Sequence, residues 1–217
     1  MRVLLTGANG MLGNELCSHL GQKRHTVIPA DINTGSGGEI LPVDVRDYDS
    51  LLQITDKKQP DAVFHLAAET DVDLCEQDPD HARRVNSAGT QNVALICRKF
   101  DLPMVYISTA AVFDGKKKDP YVESDDPAPV NVYGKTKLEG ENFTRDLVKH
   151  HFIFRAGWMV GGWSIDKKFV YKIVQQVLQG GRRIQAVHDK FGCPTFTDDF
   201  AANLLEVFTT GRAGLYH

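Results

Sequence analysis

Short apolar runs alternate with longer stretches whose apolar residues recur at helical spacing, and this alternation predicts the elements of the chain. Residues 2–5 read as a buried strand, and Leu16 and Leu20 lie on the helical stripe that follows. Further strands are expected at 25–28, 39–45, 61–68, 103–109 and 151–155, with helices at 47–57, at 79–100 and from near Val132. Residues 61–68 are nearly continuously apolar, the pattern of a strand covered on both faces. His65 within that run reads as a satisfied core histidine rather than a catalytic one. Beyond these, helices are expected at 166–179 and 198–209, a strand at 184–187 and a turn at 191–195. Strands and helices in this order make an α/β fold with a doubly wound parallel sheet, whose ligands collect at the carboxyl ends of the strands.

The first strand runs into Thr6-Gly7-Ala8-Asn9-Gly10-Met11-Leu12-Gly13. Glycines there serve a sharp turn, a close backbone approach to a pyrophosphate, and tight packing of helix on strand, with the helix N-terminus aimed at the phosphates. Asp31 follows the last glycine by about 18 residues, where a dinucleotide site places an acid on the adenosine ribose. A carboxylate at that place favours NAD over NADP, while Lys23 and Arg24 just before the strand keep both in play. Ala67 and Ala68, small residues at a strand end, would let a cofactor lie close, and Asn86 could hold backbone beside it or serve the fold alone.

Tyr133 and Lys137 are four apart on an expected helix and so share one face. An ammonium held beside a phenol favours the phenolate and brings its proton affinity towards neutrality, which suits Tyr133 to general acid–base work at a carbonyl. Lys137 could also hold the nicotinamide ribose, and Thr109, ending the 103–109 strand, could donate a hydrogen bond to the same carbonyl.

Composition narrows the picture. With 217 residues and a net charge of −3, the chain can bury a full core and offers no electrostatic reason to bind nucleic acid. No run is long and apolar enough for a membrane span, and no signal peptide is expected ahead of the first strand. Cys17, Cys75, Cys97 and Cys193 show neither metal-ligand nor disulfide spacing, so reduced thiols, a cytoplasmic location and no metal are expected. The Lys116-Lys117-Lys118 run reads as a solvated loop.

The glycine turn, His65-Leu66-Ala67-Ala68, Ser108-Thr109 and Tyr133-Gly134-Lys135-Thr136-Lys137 together resemble the extended short-chain dehydrogenase/reductase family along the whole chain. Within it, Val112-Phe113-Asp114-Gly115, the stretch from Pro127 to Lys135, Arg155-Ala156-Gly157-Trp158 and Phe191-Gly192-Cys193-Pro194-Thr195 resemble the dTDP-4-dehydrorhamnose reductases. The resemblance implies a Rossmann-like dinucleotide domain over 1–157 and a partial nucleotide-sugar region over 158–217. It implies NAD(H)- or NADP(H)-dependent reduction of the 4-keto group of a nucleotide-linked deoxy sugar, a precursor of cell-surface polysaccharide, with a homodimer as the assembly to test. The implied cofactor residues are Gly7, Asn9, Gly10, Met11, Leu12, Asp31, Asp44, Val45, Ala67, Ala68, Glu69, Ile107, Tyr133 and Lys137. Thr109, Tyr133 and Lys137 would be catalytic, and Thr109, Ala110 and Trp158 would meet the sugar.

Two departures stand out. Ala110-Ala111 occupies the place where such reductases carry Asp-Tyr, which keeps a nucleotide-sugar epimerase as an alternative and argues against a 4,6-dehydratase. The chain also stops inside an expected strand at Gly214-Leu215-Tyr216-His217, so a longer parent protein is expected. A non-catalytic dinucleotide-binding regulatory subunit is the remaining alternative, disfavoured by the intact Thr109, Tyr133 and Lys137.

Overall fold

The computed structural model describes residues 1–35, 39–162, 169–180, 183–186, 188–189 and 192–217. The apolar run at the start forms β1 (Arg2–Thr6), followed by α1 (Met11–Gln22) and β2 (Thr26–Asp31). After β3 (Leu41–Pro42) come α2 (Tyr48–Lys58), β4 (Ala62–His65) and α3 (Val72–Gln77). The long central helix has three parts: α4 (Pro79–Ala82), a π-helical segment over Arg83–Ala88, and α5 (Gly89–Phe100). The second half holds β5 (Met104–Thr109), α6 (Val132–Leu147), β6 (His151–Ala156), β7 (Trp158–Val160), α7 (Phe169–Leu178), β8 (Pro194–Phe196), α8 (Thr197–Thr209) and β9 (Gly214–Tyr216).

Seven strands form one sheet in the order β3-β2-β1-β4-β5-β6-β9, and every neighbouring pair is parallel. The order reverses direction at β1, which places the crevice of a doubly wound sheet between the ends of β1 and β4. Alternate strand residues feed opposite faces. Val3, Leu5, Phe64 and Val105 pack under α1 and α8 through Leu12, Leu16 and Leu204, while Leu4, Val63, Met104 and Tyr106 pack under α2 and α5 through Leu51, Val93 and Ile96.

Local chemistry sets the element ends. Asp47, Asp71 and Asp78 cap α2, α3 and α4 by accepting from backbone N–H groups three residues on, and Asn131 does the same for α6. The strand expected at 39–45 shortens to Leu41–Pro42, because Pro42 has no N–H to extend a ladder. β2 instead runs past 25–28 to Asp31; Pro29 is tolerated because β3 pairs only with Ala30 and Asp31. The expected 79–100 helix contains the π-helical segment, and α3 lay in a stretch with no anticipated element.

Residues 158–217 divide. β7 and β8 make a separate two-stranded parallel sheet, whereas α8 packs on α1 and β9 joins the main sheet beside β6. Of the helix expected at 166–179, Phe169–Leu178 is described and 166–168 lie outside the described residues. Residues 184–186 of the expected strand have no regular structure, and Val187 lies outside the described residues, as does Phe191 of the expected turn. Among the described residues no helix is long and apolar enough to cross a membrane.

His65 sits at the centre of this sheet, fully buried, with Nδ1 2.8 Å from the Thr6 hydroxyl and Nε2 3.0 Å from that of Thr90. Burial, and secondarily the nearby Lys137, lower its pKa to about 3 from an ordinary 6.5. Between those values the unfolded chain takes up a proton that the folded chain refuses, so stability present above pH 6.5 is lost as the pH falls towards 3. Urea unfolding of the wild type over this range should lose up to about 1.4 kcal/mol per pH unit from this residue. The same series on His65→Gln should be flatter by that slope, and parallel curves would refute the assignment.

Candidate active site

The glycine turn is fixed by its backbone. Gly7 adopts φ +76, open to glycine, and a Cβ there would lie 2.6 Å from the Ala67 amide nitrogen, so β1 and the end of β4 meet only because Gly7 has no side chain. The Gly10 amide donates to the Gly7 carbonyl at 3.1 Å, and α1 begins with no side-chain cap, leaving the N–H groups of its first turn directed outward. Those groups open onto a cleft of about 510 Å³, within the ordinary size range of small-molecule sites.

Ten of the expected cofactor residues line this cleft: Gly7, Gly10, Met11, Leu12, Asp31, Asp44, Val45, Ala67, Ala68 and Glu69. Asn9 lies behind it, its amide donating to Asp31 Oδ2 at 3.0 Å, while Asp31 Oδ1 accepts from the Asn33 amide at 2.9 Å. The first of these bonds ties the glycine turn to the end of β2, and the second fixes the Asp31 carboxylate there. Ile107 is packed in the core under α1 rather than among the lining residues.

Sequence reasoning missed Arg46, His81 and Met159 on the cleft wall. Arg46 clamps Asp44 through Nε, 2.9 Å from each carboxylate oxygen, and holds that carboxyl below its usual range. A cation two residues after Asp44 was the available signal. His81 approaches Glu69 Oε2 at 3.3 Å, and nothing in the local pattern points to that meeting.

Asn86, on the π-helical segment, is fully buried and grips the cleft wall from behind. Its Oδ1 accepts from the Glu69 amide at 2.8 Å and its Nδ2 donates to the Glu69 carbonyl at 3.0 Å and to Thr136 Oγ1 at 3.2 Å. One side chain thereby joins the strand-end loop to α6.

α6 brings Tyr133 and Lys137 to the adjoining end of the sheet, beyond the residues that line the cleft. Gly140 allows this helix to lie against β5, since a Cβ there would meet the Tyr106 hydroxyl group. Lys137 is only 3% exposed; its Nζ stands 4.3 Å from the centre of the Tyr106 ring, and its carbonyl accepts from the Tyr106 hydroxyl at 3.2 Å. Burial lowers its pKa to about 7, opposed by Glu141. Tyr133 moves opposite to expectation: burial pushes the phenol up to about 12, while the Thr109 hydroxyl beside it pulls the other way. The expected lowering by a neighbouring ammonium is absent, and burial sets the direction of the shift.

Trp158 and Met159 are successive residues of β7 and point to opposite faces; Met159 lines the cleft. The Trp158 ring lies against the backbone of Gly192 and is 48% exposed. Ala110, next to Thr109, is exposed at the start of a 3₁₀ turn.

A dinucleotide fits these residues: an uncapped helix N-terminus faces an open cleft, and a carboxylate stands at the end of β2 beside it. The model of the RmlD substrate binding domain family matches residues 1–217. The spore coat polysaccharide biosynthesis protein SpsK of Bacillus subtilis is 34% identical over 217 residues, covering all of this chain and 72% of that protein. A dTDP-4-dehydrorhamnose reductase from Clostridium acetobutylicum superposes with a TM-score of 0.91 at 35% identity, covering all of this chain and 74% of that one. A dTDP-4-dehydrorhamnose reductase from Bacillus anthracis, solved in complex with NADP, superposes with a TM-score of 0.89 at 32% identity, covering all of this chain and 73% of that one.

Asn86→Ala would leave the Glu69 amide and carbonyl without their partner, and should lower unfolding free energy by about 1–3 kcal/mol. Titration with NADH or NADPH, followed by nicotinamide fluorescence, should show weaker binding in the same variant. Unchanged affinity would separate Asn86 from the cofactor.

Proposed function

The chain belongs to the RmlD substrate binding domain family, and from that premise we propose that it uses NADH or NADPH to reduce the 4-keto group of a dTDP-linked deoxy sugar, as its relatives named dTDP-4-dehydrorhamnose reductase do. The observation that carries this reading is the pairing of an open cleft at the N-terminus of α1 with Thr109, Tyr133 and Lys137 at the neighbouring strand end. The Bacillus anthracis relative's complex with NADP supports the same cofactor class.

The nicotinamide supplies the hydride. Gly10, Met11 and Leu12 would meet the pyrophosphate through the first turn of α1, Asp31 and Asp44 the adenosine end, and Ala67 to Glu69 the middle of the dinucleotide. Tyr133, kept protonated at neutral pH by its burial, would give its proton to the carbonyl oxygen. The Thr109 hydroxyl can donate to the phenolate left behind, and Lys137, one helical turn along α6, would steady the same charge. Residues 158–217, with β7 beside the cleft through Met159, would contribute to holding the nucleotide sugar.

With dTDP-4-dehydrorhamnose, the protein should oxidise NAD(P)H stoichiometrically. Tyr133→Phe should lower kcat by about 10²–10⁴-fold while leaving NAD(P)H affinity close to wild type. Turnover with a different keto-sugar nucleotide alone would reassign the substrate. Interconversion of sugar epimers with retained cofactor and no net oxidation would identify an epimerase. Wild-type kcat in Tyr133→Phe would refute the assignment of the acid.

A further inference from the structure

Beneath Lys137 lies an ionic group that the proposed reaction does not use. Glu141, on α6 one turn beyond Lys137, has no solvent exposure, and Arg155 of β6 is 5% exposed. Arg155 Nε donates to Glu141 Oε1 at 2.8 Å and Arg155 Nη2 to Oε2 at 2.8 Å, a two-pronged pair in which both carboxylate oxygens are engaged. The Ser108 hydroxyl donates to Oε1 as well. Ser108 is the residue before Thr109 on β5, and across the β5–β6 register it stands opposite Arg155. One carboxylate therefore joins three elements: the helix of Tyr133 and Lys137, the strand ending in Thr109, and the strand beside it.

A buried ion pair is a poor way to gain stability, since an apolar pair of equal volume does as well. What it does provide is a fixed register and a fixed charge. From the elements around Lys137, the titratable groups that face it are Tyr133 and Glu141 on its own helix, Tyr106 on β5 and His65 on β4, with Arg155 of β6 reaching the group only through Glu141. Tyr106 keeps its proton, because burial raises its pKa well above the ordinary value, and His65 is neutral. Glu141 is the anion among them, and it opposes the loss of the Lys137 proton that burial favours.

We propose that Glu141, held by Arg155 and Ser108, is a positioning residue for the catalytic lysine: it sets α6 against the strand that ends in Thr109 and supplies the negative charge that faces the Lys137 ammonium. Arg155 holds the carboxylate in place through both of its oxygens, and Ser108 links it to the strand position before Thr109. The catalytic part of this inference rests on the reductase reading, whereas the electrostatic part concerns the protein alone.

The test reads Lys137 directly. In protein carrying lysine labelled with ¹³C at Cε, the resonance missing from Lys137→Arg belongs to Lys137, and in the wild type it should titrate at about 7. In Glu141→Gln the midpoint should fall by about one pH unit or more, a tenfold weaker hold on the proton, and Glu141→Asp should recover part of the shift. Because Glu141→Gln strands a buried guanidinium that itself repels the ammonium, the double variant Glu141→Gln with Arg155→Met removes both charges and should show a smaller fall in the same direction. In turnover assays the alkaline limb of kcat should move to lower pH by the same interval, since Lys137 is charged only below its midpoint, with the KM for the sugar nucleotide little changed. A Lys137 midpoint that stays put in both variants overturns the proposal. A midpoint that moves in a protein without reductase turnover would sustain the positioning role and refute the substrate assignment instead.

Discussion

Holding an ammonium group out of water is the constraint around which the centre of this protein is arranged. Lys137 lies under α6 against β5, where ionisation is opposed by the low polarity of the surroundings, and its neighbours are those that make such a placement tolerable. The Tyr106 ring offers its face to the cation, and the Tyr106 hydroxyl bonds the lysine's own carbonyl, so strand and helix are locked at the residue whose charge must be held. His65, stacked on Tyr106 with ring centres 5.7 Å apart, would be a second cation if protonated. Complete burial, and secondarily Lys137 itself, keeps it neutral, and two threonine hydroxyls hold its ring nitrogens.

The cofactor cleft and the catalytic side chains are built by different means. At the cleft the backbone does most of the work: Gly7 lets two strand ends converge, the first turn of α1 presents its amides, and Asp31 binds the turn to β2. At the catalytic end side chains on one helix do it, and their positions depend on how α6 is seated. Asn86 spans both, reaching from the loop after β4 to Thr136 on α6. A disturbance on either side therefore has a short route to the other.

The parts legible in the sequence were those with local causes. The apolar runs of β1, β4 and β5 and the glycine turn depend on neighbours in the chain, and the helix expected at 47–57 forms as α2 with its first expected residue, Asp47, as the cap. His65 was recognisable as a core residue because nothing polar flanks it. Meetings across the fold were not legible: the clamp of Arg155 on Glu141, the grip of Asn86 on Glu69, and His81 beside Glu69 all join residues on separate elements. The direction of the Tyr133 shift was misjudged for the same reason. Helical spacing shows that a lysine is near, but not that burial, rather than that lysine, sets the phenol's shift.

The π-helical segment between α4 and α5 has a consequence for how this region can diverge. One residue more than an α-helical turn requires is accommodated over Arg83–Ala88, and successive residues of a helix are about 100° apart around its axis. Losing or adding a single residue there would swing Asn86 away from the loop it grips while leaving the helix itself intact. A substitution on this helix alters one side chain, whereas an insertion or deletion would alter the direction of every side chain beyond it relative to the sheet, so chain length here is as much a part of the site as Asn86 itself.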